Sequence, residues 1–95
     1  MIKRIVKLTF KPELLPNFME VFNNSAPLIR SFEGCHHMEL LQNTTDQRIL
    51  FTFSLWENEA ALENYRNSDL FKSTWAKTKI LFDEKAEAWT VEKIG

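Results

Sequence analysis

The fold of this chain is decided by residues 34–75, which read GCHHMELLQNTTDQRILFTFSLWENEAALENYRNSDLFKSTW. Two stretches with strand character, residues 35–42 and 48–56, flank the turn-forming residues 43–46, a pattern typical of a β-hairpin. A helical stretch follows directly, with Asn58 as its predicted N-cap. The strands form one wall and the helices another, so the many aromatic side chains of this stretch are expected to converge on the space between them.

The segment before this stretch predicts a strand and a long helix. Residues 2–10 alternate between apolar and mixed positions, as in a half-buried strand. Residues 13–32 show helical spacing of apolar side chains, and Gly34 follows as a helix stop. Pro27 removes an internal hydrogen bond from this helix, so we expect a kink or a break near residues 23–26.

The segment after the hairpin predicts two further helical pieces and a last strand. The helices are expected over residues 59–66 and 69–82, with Ser68 as the cap of the second, and the strand over residues 86–94. The resulting order is strand, helix, strand, strand, helix, strand. This order predicts an α+β fold of the ferredoxin-like β-α-β-β-α-β type, with a four-stranded antiparallel sheet and helices on one face. We expect residues 1–95 to form a single domain.

The third predicted strand has two different faces. The strongly apolar face consists of Ile49, Phe51, Phe53 and Leu55. The more polar face consists of Leu50, Thr52, Ser54 and Trp56. Helices on one side of the sheet leave the other side uncovered, and either set would expose large apolar groups in a monomer. We therefore expect a homodimer that pairs two sheet faces.

Composition excludes several classes of partner. The chain has 12 basic and 13 acidic residues and a net charge of -1, so it lacks the electrostatic footprint of a nucleic-acid-binding protein. The N-terminal residues contain neither a signal-peptide core nor a membrane-spanning segment. The single cysteine cannot form an intrachain disulfide, which fits a reducing compartment. These observations predict a soluble cytoplasmic protein with no membrane partner.

The two adjacent histidines and the neighbouring cysteine are the first candidates for chemistry. His36 and His37 follow each other on a predicted strand, so their side chains point to opposite faces and cannot readily chelate one metal ion. No metal site is therefore predicted. One of the two can face a pocket and act as a general base, while the other reading is an ordinary surface or interface histidine. Cys35 is expected to be a small buried core residue.

The aromatic side chains within residues 34–75 are the second candidates for a functional site. Trp56, Tyr65, Phe71 and Trp75 are spaced so that they can stack on a flat aromatic molecule. Plain packing in the core explains the same spacing equally well. Both interpretations stay open at this point.

A set of positions across most of the chain follows the pattern of a known family. They come from the first helix, the start of the second strand, the end of the third strand and the helical segment after it: Phe18, Gly34, Cys35, Leu55, Trp56, Glu57, Ala60, Tyr65, Ser68 and Phe71. The chain thereby resembles the antibiotic biosynthesis monooxygenase (ABM) family of dimeric α+β barrels. The resemblance implies a pocket in each subunit between sheet and helices.

The family includes cofactor-independent monooxygenases that act on quinol-type aromatics, haem-degrading enzymes and small-molecule isomerases. The haem-degrading branch uses an Asn, a Trp and an iron-ligating His where this sequence has Val6, Tyr65 and Trp75. Haem degradation is therefore not expected. Some quinol-oxidising members use an Asn where this sequence has Thr52, which can also donate and accept a hydrogen bond.

The resemblance implies a cofactor-independent monooxygenase that acts on a small aromatic substrate of the quinol or phenol type. His36, His37 or Tyr65 would help remove the substrate proton, and Thr52, Trp56, Phe71 and Trp75 would bind the ring. One alternative is a non-catalytic small-molecule-binding or stress-response module on the same fold. Another is a small-molecule isomerase for a phosphorylated sugar-like compound, which requires Lys7, Arg48 or Arg66 to point inward.

Overall fold

A computed structural model describes residues 1–95 and contains the predicted four-stranded antiparallel sheet with helices on one face. The strand order is β2-β3-β1-β4, which confirms the ferredoxin-like α+β fold. The elements are β1 (Ile2–Phe10), a 3-10 turn (Pro12–Leu14), α1 (Leu15–Arg30), β2 (Cys35–Gln42), β3 (Ile49–Trp56), α2 (Glu59–Arg66), α3 (Asp69–Lys79) and β4 (Phe82–Val91). None of the helices combines the length and the apolar content needed to span a membrane.

The two predicted N-caps after the hairpin are confirmed. The side-chain oxygen of Asn58 accepts a hydrogen bond of 2.9 Å from the backbone N–H of Ala61 and begins α2. The hydroxyl of Ser68 accepts one of 3.1 Å from the N–H of Phe71 and begins α3. Such caps satisfy donors that the first helical turn leaves unpaired, and they fix where each helix starts.

The predicted break in the first helix is wrong, because α1 runs without interruption through Pro27. The proline leaves the carbonyl of Asn23 without its usual donor, but both residues are exposed, so water can reach that carbonyl. On the buried side, the Ser25 hydroxyl donates a hydrogen bond of 2.8 Å to the carbonyl of Val21. The helix therefore loses one bond on its solvent side and stays intact where it packs.

The predicted boundary between the last helix and the last strand is also wrong. α3 ends at Lys79 rather than residue 82, and β4 starts at Phe82 rather than residue 86. Phe82 pairs with Phe10 of β1, and the two ring centroids are 5.3 Å apart. The charged residues that follow resemble a loop in sequence. They are tolerated in β4 because it is an edge strand with one side open to water.

Gly34 closes the connection between α1 and β2. It has a φ of 86°, a conformation that side chains disfavour, and a Cβ atom at this position would collide with the side chain of Ala61 in α2. Its carbonyl accepts a hydrogen bond of 2.9 Å from the N–H of Glu57. This glycine thus lets the end of the first helix approach the start of the second closely.

The sheet has a covered face, which packs against the helices, and an open face, which does not. The buried core belongs to the covered face and includes Leu8, Phe10, Leu50 and Trp56. Strand alternation places the other set on the open face, where no helix packs. This set comprises Ile5, Phe51, Phe53, Leu55 and Trp89, which the register brings side by side. Of the two possibilities left by the sequence, the more apolar face of β3 is therefore the uncovered one.

Candidate functional site

A cavity of about 350 Å³ lies between the covered face of the sheet and the helices. Its aliphatic and small apolar lining comes from both layers: Val6, Leu8, Val21, Ile29, Met38, Leu62, Ala86 and Ala88. Aromatic side chains complete the apolar wall, and a few polar groups interrupt it. A mostly apolar cavity with few polar groups is the usual form of a small-molecule site.

Four aromatic residues form a continuous wall of this cavity, here called the aromatic wall: Trp56, Tyr65, Phe71 and Trp75. The rings of Trp56 and Tyr65 are stacked, with centroids 4.8 Å apart and planes 24° from parallel. Tyr65 meets Phe71 edge to face at 5.3 Å, and Phe71 lies nearly parallel to Trp75 at 6.0 Å. The sequence left packing and ligand contact open for these residues, and the structure shows that they pack together and also line the cavity.

The hydroxyl of Tyr65 is the central polar group of the aromatic wall. It has no hydrogen-bond partner within the chain. Every fully buried side-chain polar atom of the chain does have a partner, so the Tyr65 hydroxyl is not fully buried. Burial raises the pKa of Tyr65 to about 12, with a smaller contribution from Cys35. The phenol therefore stays protonated at neutral pH, so it can donate a hydrogen bond but is not available as a phenolate base.

Two polar residues of β3 face the cavity beside this wall. The indole N–H of Trp56 donates a hydrogen bond of 2.9 Å to the hydroxyl of Ser54, which fixes the plane of the indole ring. Thr52 lies two residues earlier on the same face, between Val6 and Leu40 in the sheet register. Its hydroxyl has no hydrogen-bond partner of its own, so it is free to contact a bound molecule.

Two arginines also line the cavity, and the sequence reasoning missed one of them. Arg4 of β1 and Arg66 at the end of α2 both reach it. Arg66 was named only as a requirement of the isomerase alternative. Arg4 was not noticed, although a signal exists. It shares its strand face with Ile2, Val6 and Leu8, so a charged residue interrupts an inward apolar series.

Contrary to the expectation that one histidine faces the pocket, neither His36 nor His37 lines the cavity. The bulge between Cys35 and His37 leaves His36 without a partner in the register, and His37 lies opposite Leu55 on the open face. There its Nε2 atom lies 3.0 Å from a carboxylate oxygen of Glu39, and its ring packs on Phe53. The bulge takes His36 out of the alternation that would place it on the covered face, whereas regular alternation puts His37 on the open face.

Cys35 lies next to His36 in the sequence, and its surroundings do not favour the reactive thiolate form. It is partly buried against the core, and burial raises the pKa of its thiol. Its Sγ atom lies 3.7 Å from the carbonyl oxygen of His37. A thiol held in its protonated form is a weak nucleophile, which agrees with the predicted packing role.

The sequence profile of the antibiotic biosynthesis monooxygenase family matches residues 1–77. The chain belongs to this family. A solved structure of a conserved protein from Methanosarcina mazei Go1 is 25% identical and superposes with a TM-score of 0.94, over 98% of this chain and 92% of the other. A solved structure described as an antibiotic biosynthesis monooxygenase is 16% identical, with a TM-score of 0.93 and full coverage of both chains.

A curated relative is a much larger protein from Natronomonas pharaonis, named "Putative heme-binding protein". It is 29% identical over 66 residues, which are 70% of this chain but only 11% of that protein. This chain therefore spans about a tenth of the curated relative that it matches. The similarity extends to the domain and not to the rest of that protein.

The cavity of this ABM domain does not fit a haem. Haem iron is usually held by His, Cys, Met or a tyrosinate. No histidine or cysteine lines the cavity, and the methionine that does, Met38, is buried in the core with Ile29 and Trp56. The position expected for the iron ligand is Trp75, whose indole has no free lone pair for a metal. The raised pKa of Tyr65 disfavours the tyrosinate that iron would need. No group of three or more His, Cys, Asp or Glu side chains is placed to hold a metal ion.

Proposed function

We propose that this chain is a monooxygenase that oxidises a small planar aromatic of the quinol or phenol type with dioxygen. The observation that carries the proposal is the aromatic wall, in which Tyr65, with no hydrogen-bond partner for its hydroxyl in the chain, lines an apolar cavity of about 350 Å³. A flat ring fits against such a wall by stacking or edge contacts. The hydroxyl then supplies the one directional contact that fixes where the substrate oxygen lies.

In this proposal Tyr65 stabilises the substrate anion and does not take its proton. A quinol or phenol that loses its proton to solvent leaves an oxyanion in a low-dielectric cavity, where a hydrogen bond from a neutral phenol is strong. The raised pKa of Tyr65 keeps its own proton in place for this purpose. Thr52 offers a second donor on the facing strand, while Trp56, Phe71 and Trp75 hold the ring.

The oxidation itself needs only the substrate and dioxygen. The electron-rich anion transfers one electron to dioxygen, and the resulting radicals combine to a hydroperoxide at a hydrogen-bearing ring carbon ortho or para to the oxygen. Loss of water from this hydroperoxide leaves a second carbonyl group on the ring. One oxygen atom enters the product quinone, the other leaves as water, and the substrate supplies all electrons, so the proposal includes no cofactor.

The histidines keep only an indirect place in this scheme. His36 and His37 remain the residues that the sequence favours as a base, but their positions outside the cavity give them no contact with a molecule bound there. If either acts on the substrate proton, it does so through solvent. The direct polar contacts are assigned to Tyr65 and Thr52.

A second candidate is a module that binds the same class of aromatic molecule without converting it. The observation that favours it is the ionisable lining of the cavity, which consists of Arg4, Arg66 and Tyr65 and includes no carboxylate or histidine. A site without a titratable base near neutral pH is poorly equipped for proton removal. The isomerase alternative is less well supported, since Arg66 reaches the cavity but Lys7 and Arg48 do not.

We further propose that two copies pair through their open faces in the cytoplasm. The support is the uncovered apolar set Ile5, Phe51, Phe53, Leu55 and Trp89, of which Trp89 is 46% exposed. Contiguous apolar surface of this kind marks an interface in a soluble protein. The unpaired Cys35 agrees with a reducing compartment.

The test is oxygen uptake by the purified protein with a panel of hydroxynaphthols and anthrones. Turnover should yield one water and one quinone for each dioxygen consumed, and Tyr65→Phe should lower kcat by about 10–100-fold because a transition-state hydrogen bond is lost. Thr52→Val should have a smaller effect. Thr44→Val removes a matched hydroxyl from the hairpin turn and should leave turnover unchanged.

The proposal is rejected if no member of the panel supports oxygen uptake. Tight binding of the same compounds without uptake would favour the binding module instead. Equal loss of activity in Thr44→Val and Tyr65→Phe would indicate a general effect on the fold rather than a role for the phenol.

A further inference from the structure

The cavity carries positive charge at one side, supplied by two arginines on different elements. Arg4 is the only charged residue on the inward face of β1, where Ile2, Val6 and Leu8 are its neighbours. Arg66 comes from the last turn of α2, and both side chains line the cavity. A charge placed on an apolar inward face is costly unless it has a partner, so its position calls for an explanation.

The partners present in the chain leave most of the donors of Arg4 free. Its Nη1 atom donates one hydrogen bond of 3.1 Å to the hydroxyl of Thr90, its neighbour on β4. Glu63 pairs with Arg66 at 3.5 Å and is the nearest acidic group to both arginines. Two positive charges and one negative charge leave one net positive charge at this side of the cavity.

The charges around Arg4 are not balanced within the chain. Burial and the positive charge of Arg66 lower the pKa of Arg4, and Glu63 offsets this only in part. The two guanidinium groups therefore repel each other in a partly desolvated place. An anion between them would relieve that repulsion and accept hydrogen bonds from a planar fork of donors.

We propose that the natural ligand of the cavity is a planar aromatic monocarboxylate, with its carboxylate between Arg4 and Arg66 and its ring on the aromatic wall. The inference rests on the proposed function for the use of this cavity, but it adds a specificity that the oxidation of a quinol or phenol does not require. A single carboxylate matches the single net positive charge of the arginines and Glu63. The apolar remainder of the lining matches the ring rather than a second charge.

The test is calorimetric binding of 2-naphthoate and of its neutral, nearly isosteric counterpart 2-naphthamide. A carboxylate held by charge-assisted hydrogen bonds should make the naphthoate bind about tenfold more tightly than the amide at low salt. Added salt should narrow this preference, since the arginines are partly exposed. Equal affinity of the two compounds, or binding of neither, would overturn the proposal.

Variants locate the preference at the two arginines. Arg4→Gln should weaken naphthoate binding by about tenfold and amide binding by less than about twofold, and Arg66→Gln should act in the same direction to a smaller extent. Arg4→Lys keeps the charge and should retain part of the preference. Lys11→Gln removes one positive charge beyond the far end of the same strand, and it should leave both affinities unchanged. Equal effects of Lys11→Gln and Arg4→Gln would mean that overall charge, and not this site, attracts the anion.

This experiment separates the inference from the proposed function. Preferred binding of naphthoate without oxygen uptake by any phenol would reject the monooxygenase and leave the carboxylate site standing. Oxygen uptake with neutral phenols and no preference for naphthoate would do the reverse. A circular-dichroism melt of Arg4→Gln guards against loss of fold, and Arg4→Lys provides the same comparison if the glutamine variant does not fold.

Discussion

The two faces of the sheet divide the apolar residues of this chain in an unexpected way. The covered face uses the more polar side of β3, with Leu50, Ser54 and Trp56 buried beneath the helices. The open face carries the more apolar side, including Phe51 and Phe53, and no helix packs there. Hydrophobicity alone would have placed the helices on the other side.

The difference teaches that each face is matched to its own occupant. The covered face includes polar groups because it borders the cavity, where Thr52 and Arg4 line the space for a ligand. The open face brings Ile5, Phe53 and Trp89 side by side, which suits the proposed pairing with a second copy of the same surface. Substitutions on the two faces should therefore differ in their effects on stability, assembly and ligand binding.

The first prediction compares one phenylalanine from each face. Phe10 is 0% exposed and stacks on Phe18 with ring centroids 4.2 Å apart, so Phe10→Ala should lower the free energy of unfolding by about 3–5 kcal/mol. This loss should not depend on protein concentration. Phe53→Ala should cost less than about 1.5 kcal/mol at concentrations where the chain is monomeric. Urea denaturation at low and high protein concentration measures both values.

Equal losses for the two variants in the dilute samples would contradict the division into a core face and an interface face. They would mean that Phe53 is buried within the monomer, as Phe10 is.

The second prediction concerns the open face alone. Phe53→Glu places a carboxylate where the proposed interface is driest, so it should raise the dimer dissociation constant by at least about 100-fold. Light scattering should give the wild-type protein twice the 11.2 kDa mass of one chain and the variant a single-chain mass. Thr44→Glu adds the same charge on the hairpin turn and should remain dimeric. A monomeric wild-type protein would refute the interface.

The third prediction concerns the covered face and pH. Burial raises the pKa of Tyr65 from 10 to about 12, so the folded state holds this proton more tightly than the unfolded state does. The stability contribution is complete below pH 10 and is lost between pH 10 and 12, with a total of about 2–3 kcal/mol. Because the chain has one tyrosine, the ultraviolet absorbance change of phenolate formation reports this group alone.

Tyr65→Phe supplies the control for this titration. It should abolish the absorbance change and flatten the stability profile between pH 10 and 12. A tyrosine that ionises near pH 10 in the folded protein would show that the hydroxyl lies in bulk water and not in the cavity.

The smallest effect is expected for the histidine on the open face. His37 is 47% exposed in the single chain and pairs with Glu39. Exposed pairs contribute little, so at concentrations where the chain is monomeric His37→Gln should change the free energy of unfolding by less than about 0.5 kcal/mol. Turnover or ligand binding should stay within about twofold of wild type, because the residue does not line the cavity. A large loss of activity would restore the histidine as a catalytic candidate.

Much of the covered face could be predicted from the sequence, because its signals are local. The caps at Asn58 and Ser68 and the exact bounds of α2 follow from side chains within one turn. The aromatic wall follows from helical spacing after β3. The start of β4 could not be predicted, because Phe82 joins the sheet only through its pairing with Phe10, more than 70 residues away.

The residues of the candidate site could likewise be predicted only in part from the sequence. The wall residues Trp56, Tyr65, Phe71 and Trp75 were all expected at the cavity, and all line it. The sequence left open which histidine faces the pocket, and neither lines the cavity, because His37 lies on the open face and His36 falls in a bulge. Arg4 could not be assigned to the cavity from the sequence, because alternation along β1 does not show which of its faces the helices cover.

The sequence by itself determined the family, the order of elements and the aromatic character of the cavity, since these depend on periodicity, caps and spacing along the chain. Only the tertiary structure decided which side of β3 the helices cover, where the histidines lie and which charges meet at the cavity. Those features depend on contacts between residues far apart in sequence. Such contacts form only when strand register and helix packing bring the residues together, as they do for Arg4 and Arg66.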